Sequence, residues 1–392
     1  MTLRHQLDAL APEMTAWRRD FHAHPEIGYE EHRTSAIVAD KLRSWGIEVH
    51  EGLGGTGVVG VLRGKRDAPG ANRAIGLRAD MDALPMTEAT GLPHASTIPG
   101  RMHACGHDGH TAMLLGAAKY LAETRDFSGT VHLIFQPAEE SLAGAKAMID
   151  DGLFERFPCD AVYGLHNEPG LPLGQVSVRA GTMLAAIDYF RVVVRGVTTH
   201  GAKPHLGIDS VVAAAQVVSA LQTVVSRSID PLETAVISIG QIHGGTSDIV
   251  IPDAVELRGS VRTLKPAVRD AMEPAFRRVV ENTVAAFGAT AEIEYRRAYP
   301  ATINTVEEAA RAALAVAAVL GEDAVLPDEP PITAGEDFAF MLEKCPGAYV
   351  MFGQKGETRG GTPVHNIHYD FNDDLLPLGA GYLAQLVEQE LK

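Results

Sequence analysis

"TVHLIFQPAEESLAGAKAMIDDGLFERFPCDAVYGLH", residues 130–166, opens on an apolar run too short for a helix and turns through a proline and two adjacent glutamates. It continues at helical spacing over "GAKAMIDDG" (144–152) and ends in a second short apolar run that closes on a histidine. Strand, helix, strand in that order is a crossover unit, because two parallel strands need a dozen or more residues between them. The same alternation runs backward through "VVGVL" (58–62), "AIGLRAD" (74–80) and the helical "HTAMLLGAAKYLAET" (110–124). Ahead of the first strand, "EHRTSAIVADKLRSWG" (31–46) reads as a helix stopped by Gly46. The fold class that follows is α/β, a largely parallel sheet flanked by helices.

From about Asp188 the texture changes. Strand "YFRVVVRG", an Ala/Val-rich helix from Ser210, strands "TAVISIGQIHGG" and "DAVELRGSVRTL", helix "AVRDAMEPAFRRVVENTVAAFG" and strand "TAEIEYRRAY" follow one another. The order β-α-β-β-α-β is that of a ferredoxin-like α+β unit. After about Pro300 the first texture resumes, with helix "TVEEAARAALAVAAVLG", strand "AYVMFG" (348–353) and a last helix from Leu376, so the second unit is an insertion into the first. A chain of 392 residues also exceeds the roughly 250–300 at which one hydrophobic core stops growing.

Fifty acidic against 34 basic residues give a formal charge of −16, which disfavours a nucleic-acid partner, since phosphate binding needs a concentrated basic face. Cys105, Cys159 and Cys345 are too few and too scattered for a disulfide framework, and "MTLRHQLDALAPEMTAW" lacks the apolar core of a signal peptide. The apolar "SVVAAAQVVSALQTVVS" (210–226) is interrupted by Gln216 and Gln222 and reads as a core helix rather than a membrane span. The expectation is a cytoplasmic protein that acts on small solutes, without a membrane or nucleic-acid partner.

Polar residues with metal-binding chemistry gather at four places. "MHACGHDGH" (102–110) lies in a glycine-bearing loop ahead of a helix, where the helix dipole and a bound cation both favour a thiolate at Cys105. "QPAEE" (136–140) and His166 fall where strands end, and His365 follows the last strand; ligands of open α/β sheets bind outside such carboxyl ends. One thiolate, three imidazoles and a carboxylate suit Zn²⁺, Mn²⁺, Co²⁺ or Ni²⁺ better than Ca²⁺ or Mg²⁺, and five ligands suffice for two ions. Of the pair Glu139 and Glu140, one carboxylate is expected to bind metal and the other to move protons, which is the equipment for metal-assisted amide hydrolysis. Each group also has a plainer reading: Cys105 as a small buried hydrophobe, "QPAEE" as an acidic helix start, His166 and His365 as satisfied strand-end histidines. His103 and His110 read as hydrogen-bonding support, and His368 competes with His365.

"RRDFHAHPEIGYEE" (18–31), "RADMDALPM" (78–86), "HACGHDGH", "QPAEE", "LHN", "GGTSDIVIPD" (244–253) and "HYDFND" (368–373) together resemble the peptidase family M20 amidohydrolases, in the branch of hippurate hydrolases, N-acyl-amino-acid amidohydrolases and auxin-conjugate amidohydrolases. The resemblance runs almost end to end. It implies a zinc-peptidase-like catalytic domain over residues 1–185 and 298–392, and a lid and dimerisation domain over 186–297. It implies metal ligands Cys105, His107, Glu140, His166 and His365, two divalent ions of which Zn²⁺ or Mn²⁺ are expected first, Glu139 as general base and acid, and an N-acyl amino acid as substrate. His200 in "TTHGAKPH" matches an oxyanion-site histidine, while Arg262 in "GSVRT" and the backbone at Gly335 in "TAGEDF" match parts of a carboxylate pocket. A homodimer through the inserted domain is implied as well.

Two positions depart from the pattern. Ile249 stands where related sequences place an asparagine that lines the substrate site, leaving Asp248 as a candidate substitute. "RADMD" replaces the HxD metal motif of other branches, so Asp80 and Asp82 are expected to support the site rather than bind metal. Two other functions stay open on sequence alone: a cysteine hydrolase with Cys105 as nucleophile, and a non-catalytic binder of metal or acyl conjugates.

Overall fold

The structure is a computed structural model that describes residues 2–66 and 72–392. The chain forms two compact units. Met1–Met183, Ile303–Pro330 and Asp337–Lys392 make the first, and Leu184–Thr302 with Pro331–Glu336 make the second. Pro331–Glu336 joins the inserted unit, although the sequence reading runs the outer part unbroken from 298. The reason is local: the Ala185 N–H reaches the carbonyls of Ile332 and Ala334 at 3.1 and 2.8 Å.

The first unit is built on α1 (Leu3–Ala23), α2 (His32–Ser44), β1 (Glu48–Leu53), β2 (Gly57–Arg63), β3 (Ala74–Asp80), α3 (His107–Thr124), β4 (Thr130–Gln136), α4 (Gly144–Asp150) and β5 (Ala161–Pro172). Its strands form an eight-stranded sheet that also takes in a strand after residue 340, Gly347–Lys355, in the order β1, β2, β4, β3, β5, Gly347–Lys355, Val176–Ser177, Val325–Leu326. β4, β3, β5 and Gly347–Lys355 are neighbours and all parallel, so their carboxyl ends open on one rim. β1 and β2 run antiparallel at one edge, a direction that residue periodicity does not encode. β2, β3 and Gly347–Lys355 are buried along almost their whole length, which is why they read as continuous apolar runs rather than alternating ones. The core beneath them gathers Leu114, Leu115, Leu121, Phe135 and Val350 with Leu383 of the last helix, Leu376–Glu390. Two helices precede β1, not one: α1 buries Leu7, Met14 and Phe21, and the Thr2 hydroxyl caps its first turn.

The second unit contains β6 (Ala186–Arg195), α5 (Ser210–Thr223), β7 (Ala235–Gly244), β8 (Ala254–Thr263), α6 (Pro266–Ala286) and β9 (Thr290–Tyr299). Its sheet is antiparallel throughout in the order β7, β8, β6, β9, the ferredoxin-like arrangement. Phe190, Val192 and Val194 of β6 pack with Val217 and Leu221 of α5 and Phe276 and Val280 of α6. One stretch, Ser210–Ser228, is long and apolar enough by length and composition to cross a bilayer, with mean hydropathy 1.2. It buries Ala213, Ala214, Val217 and Leu221 in this core, which accounts for its apolar character.

Continuing in chain order, the longer elements that complete the first unit are α7 (Val306–Leu320), β10 (Gly347–Lys355) and α8 (Leu376–Glu390).

Candidate metal centre

The carboxyl rim of the parallel strands collects the chemistry. β4 stops at Gln136 and the chain turns through Ala138, held left-handed at φ 53°, into a single helical turn Glu139–Leu142, which a second left-handed alanine, Ala143 at φ 59°, separates from α4. Glu139 is buried and Glu140 partly so. Cys105 and His107 flank Gly106, the N-cap of α3, at φ 97°. A Cβ on Gly106 would lie 2.2 Å from Asn167 Oδ1 and 2.7 Å from Tyr369 Oη, so glycine is required twice over, by space and by backbone. His166 lies on β5, and His365, itself at φ 58°, is tied to the Cys105 loop by its N–H on the Ala104 carbonyl at 2.7 Å.

These four segments converge. The donor atoms of Cys105, His107 and His166 lie within 4.8 Å of one another, as do those of Cys105, Glu140 and His365, and those of His107, Glu139 and Glu140. Cys105 Sγ is 3.3 Å from His166 Nε2, and His365 Nε2 is 3.1 Å from Glu140 Oε1. Cys105, His107 and Glu140 each belong to two of these groups.

The surroundings fix which atom of each ring faces inward. His107 Nδ1 lies 2.9 Å from the Asp82 carbonyl oxygen, an acceptor, so Nδ1 carries a hydrogen and Nε2 is the atom that faces the cluster. That Nε2 is buried and has no hydrogen-bond partner among the described residues, a costly state that a cation relieves. His166 Nδ1 donates to the Asn167 carbonyl at 2.7 Å, which leaves its Nε2 toward Cys105. Burial and the adjacent His110 hold His166 well below the usual histidine range. At His107 burial is outweighed by Asp80, Cys105 and Asp82, which hold the ring well above that range, and Cys105 and Glu140 raise His365 to about 10. These two rings would give up a proton on binding a cation. Asp82 Oδ2 accepts the Glu140 N–H at 2.9 Å. The donors therefore fit a pair of zinc-type ions in both chemistry and orientation.

Burial pushes the Cys105 thiol up, and the Glu140 carboxylate pushes it further. A nucleophile and a metal ligand both need the thiolate, so this setting favours neither role until a cation lies beside the sulfur.

His110 is fully engaged, with Nδ1 2.6 Å from Asp80 Oδ1 and Nε2 2.7 Å from Asn167 Oδ1. His103 is buried with neither ring nitrogen partnered among the described residues, and burial pulls it down to about 4, so it makes none of the supporting hydrogen bonds expected of it. His368 turns away, donating from Nδ1 to the Ala89 carbonyl at 2.9 Å.

His200, Arg262 and Gly335 belong to the second unit. His200 pairs with Val250 in a two-residue ladder, and its Nδ1 accepts the Ala202 N–H at 3.0 Å. Arg262 donates to the Thr333 carbonyl at 3.4 Å. Gly335 has a steric reason of its own: a Cβ there would meet Ile187 Cδ1 at 2.1 Å. Ile249 is 65% exposed, so nothing in the packing of the unit demands isoleucine. Three supporting residues went unread in the sequence, Glu31, Arg78 and Asp337; each is buried and bonded to segments far away in the chain.

The profile of Peptidase family M20/M25/M40 matches residues 76–389, and the chain belongs to that family of hydrolases. It is 40% identical to the hippurate hydrolase of Campylobacter jejuni over 392 residues, covering 100% of both chains. It is 42% identical to the N-acetyl-L-cysteine deacetylase of Bacillus subtilis over 352 residues, 90% of this chain and 82% of that one. Among solved structures, a Bacillus subtilis protein described as a dinuclear metal binding peptidase of the M20 family superposes with a TM-score of 0.84 at 35% identity, covering 98% of this chain and 99% of the other.

Proposed function

We propose that the protein hydrolyses the amide bond of N-acyl amino acids, releasing a carboxylic acid and a free amino acid. The observation that carries this reading is the overlap of three groups, Cys105 with His107 and His166, Cys105 with Glu140 and His365, and His107 with Glu139 and Glu140, whose donor atoms lie within 4.8 Å of one another inside each group. Cys105, His107, Glu140, His166 and His365 would hold two divalent cations, Zn²⁺ or Mn²⁺ with Co²⁺ and Ni²⁺ as alternatives, which would supply the Lewis acidity to acidify water and polarise a carbonyl. Glu139 takes the proton of the attacking water as the new C–O bond forms and delivers it to the amide nitrogen as the C–N bond breaks. Its Oε1 accepts the Asp337 N–H at 3.3 Å, which orients the carboxylate.

We further assign His200 as donor to the carbonyl oxygen, Arg262 as partner of the substrate carboxylate and the Gly335 backbone as part of the same pocket; the motifs around them support these roles. A cytoplasmic homodimer formed through the second unit completes the reading, supported by the scattered free cysteines and the exposed apolar side chains of Val211, Val212 and Ile242.

The test is amino-acid release from N-benzoyl, N-acetyl and longer N-acyl amino acids by chelator-stripped protein, before and after each ion is restored. Metal-dependent release is expected, and Glu139→Gln should keep the metal while losing about 10²- to 10⁴-fold in kcat. Release that survives chelation, or an active Glu139→Gln, contradicts the reading.

A further inference from the structure

The turn that carries Glu139 is gripped by two buried carboxylates that come from distant parts of the first unit and stand outside the five proposed ligands. Glu31, which precedes α2, is fully buried; its Oε1 accepts the Ala138 N–H at 2.8 Å and its Oε2 accepts the Thr56 hydroxyl at 2.5 Å. Asp337 is equally buried. Its Oδ1 accepts from Arg78 Nη2 at 3.2 Å and Gln136 Nε2 at 2.8 Å, its Oδ2 accepts the Ala145 N–H at 2.8 Å, and its own N–H reaches Glu139 Oε1. One carboxylate thus holds the backbone just before Glu139, while the other joins the end of β4 to the start of α4, and the backbone N–H of that second residue reaches the Glu139 side chain.

The backbone between these grips is strained. Ala138 and Ala143 both adopt the left-handed conformation that a Cβ disfavours, and they bracket Glu139–Leu142. Such a conformation persists only where the surroundings over-determine it. We propose that Glu31 and Asp337 are positioning residues for the hydrolysis assigned above, holding the Ala138–Ala143 turn in its strained form so that the Glu139 carboxylate stays in place to move the proton. The inference rests on that assignment. Glu31 acts only through the turn, whereas Asp337 also steadies the Glu139 carboxylate directly with its backbone N–H.

The distinguishing feature of Glu31 is an acceptor for one N–H, so shape and hydrogen bonding can be separated. Glu31→Leu removes the acceptor, whereas Glu31→Gln keeps one and can still bond Thr56. Metal content, kcat, KM and a crystal structure are to be measured for both variants of the full chain. Glu31→Leu should keep two cations per chain and a KM within about threefold while kcat falls about 10- to 100-fold. Glu31→Gln should stay within about threefold of the wild-type kcat. In the Leu variant the crystal structure should show Ala138 outside the left-handed region and Glu139 displaced from the Asp337 N–H.

Equal losses in Glu31→Leu and Glu31→Gln, an unaffected kcat in the Leu variant, or an undisplaced turn would overturn the proposal. Should Glu31→Leu not fold, Asp337→Asn is read in the same way: a displaced Glu139 with lowered kcat supports the proposal, and an undisplaced Glu139 sinks it. If the wild-type protein releases no amino acid from any N-acyl substrate, the assigned reaction fails, and the crystal structures alone decide whether Glu31 and Asp337 hold the turn.

Discussion

Asp82 meets His107 twice: the ring Nδ1 lies 2.9 Å from the main-chain carbonyl oxygen of Asp82 and 3.2 Å from its Oδ1. Both contacts are acceptors, so they fix Nδ1 as a donor and aim Nε2 into the cluster. The other carboxylate oxygen accepts the Glu140 N–H, so one side chain steadies two candidate ligands from separate segments. Asp82→Ala should therefore weaken cation binding by about 10- to 100-fold with the fold intact, because partners that orient ligands contribute on that scale. Titration of stripped protein against a chromophoric chelator checks this; an unchanged affinity would remove Asp82 from the site.

Cation binding should also register as stability. His107 Nε2 is buried without a hydrogen-bond partner among the described residues, an arrangement that a cation completes and that unfolding destroys. A cation present at 100 times its Kd should stabilise the first unit by about 2.7 kcal/mol. Calorimetric scans of stripped and reloaded protein measure the difference, and coincident scans would count against the centre.

How far the sequence discloses this architecture depends on where the signal is stored. β3 and β9 are legible to the residue, because one is a continuous buried run and the other is bounded by turn residues. α1 carries an apolar stripe, Leu3, Leu7, Leu10, Met14, Trp17 and Phe21, at helical spacing; what the sequence left unmarked is the break that separates it from α2. α3 begins at His107 rather than His110, because a glycine N-cap gives no capping signal in a histidine-rich loop. The cluster residues could be picked out because "HACGHDGH" and "QPAEE" concentrate donors locally. Glu31 and Asp337 could not: they meet Ala138 and Glu139 across 107 and 198 residues, and no spacing rule spans such separations.

Gly106 offers a test of how tightly the Cys105 loop is built. A Cβ would enter the space of Asn167 Oδ1 and Tyr369 Oη, both buried, and the backbone is left-handed. Overpacking of about 1–3 kcal/mol and a left-handed penalty of about 1–2 kcal/mol add for Gly106→Ala. The variant should melt measurably earlier and bind cations more weakly, since Cys105 and His107 flank the substituted position. A variant as stable as the parent would show that Asn167 and Tyr369 can yield.

Glu31 gives the pH dependence. Burial pushes its carboxyl up from 4.5 to about 7, with the Thr56 hydroxyl opposing the rise and the Asp82 charge reinforcing it. Between those two values the folded protein binds the proton that the unfolded chain releases, so stability falls as pH rises through the window, and the loss is complete above about pH 7. Glu31→Gln cannot ionise and escapes the loss. In the metal-free protein it should therefore gain on the wild type by about 2 kcal/mol between about pH 5 and about pH 8, because each tenfold difference in proton affinity between the folded and unfolded chains is worth about 1.36 kcal/mol. Urea unfolding of both proteins at the two pH values supplies the comparison. A difference that stays constant with pH would mean that Glu31 is ionised throughout, its charge held by the Ala138 N–H and the Thr56 hydroxyl.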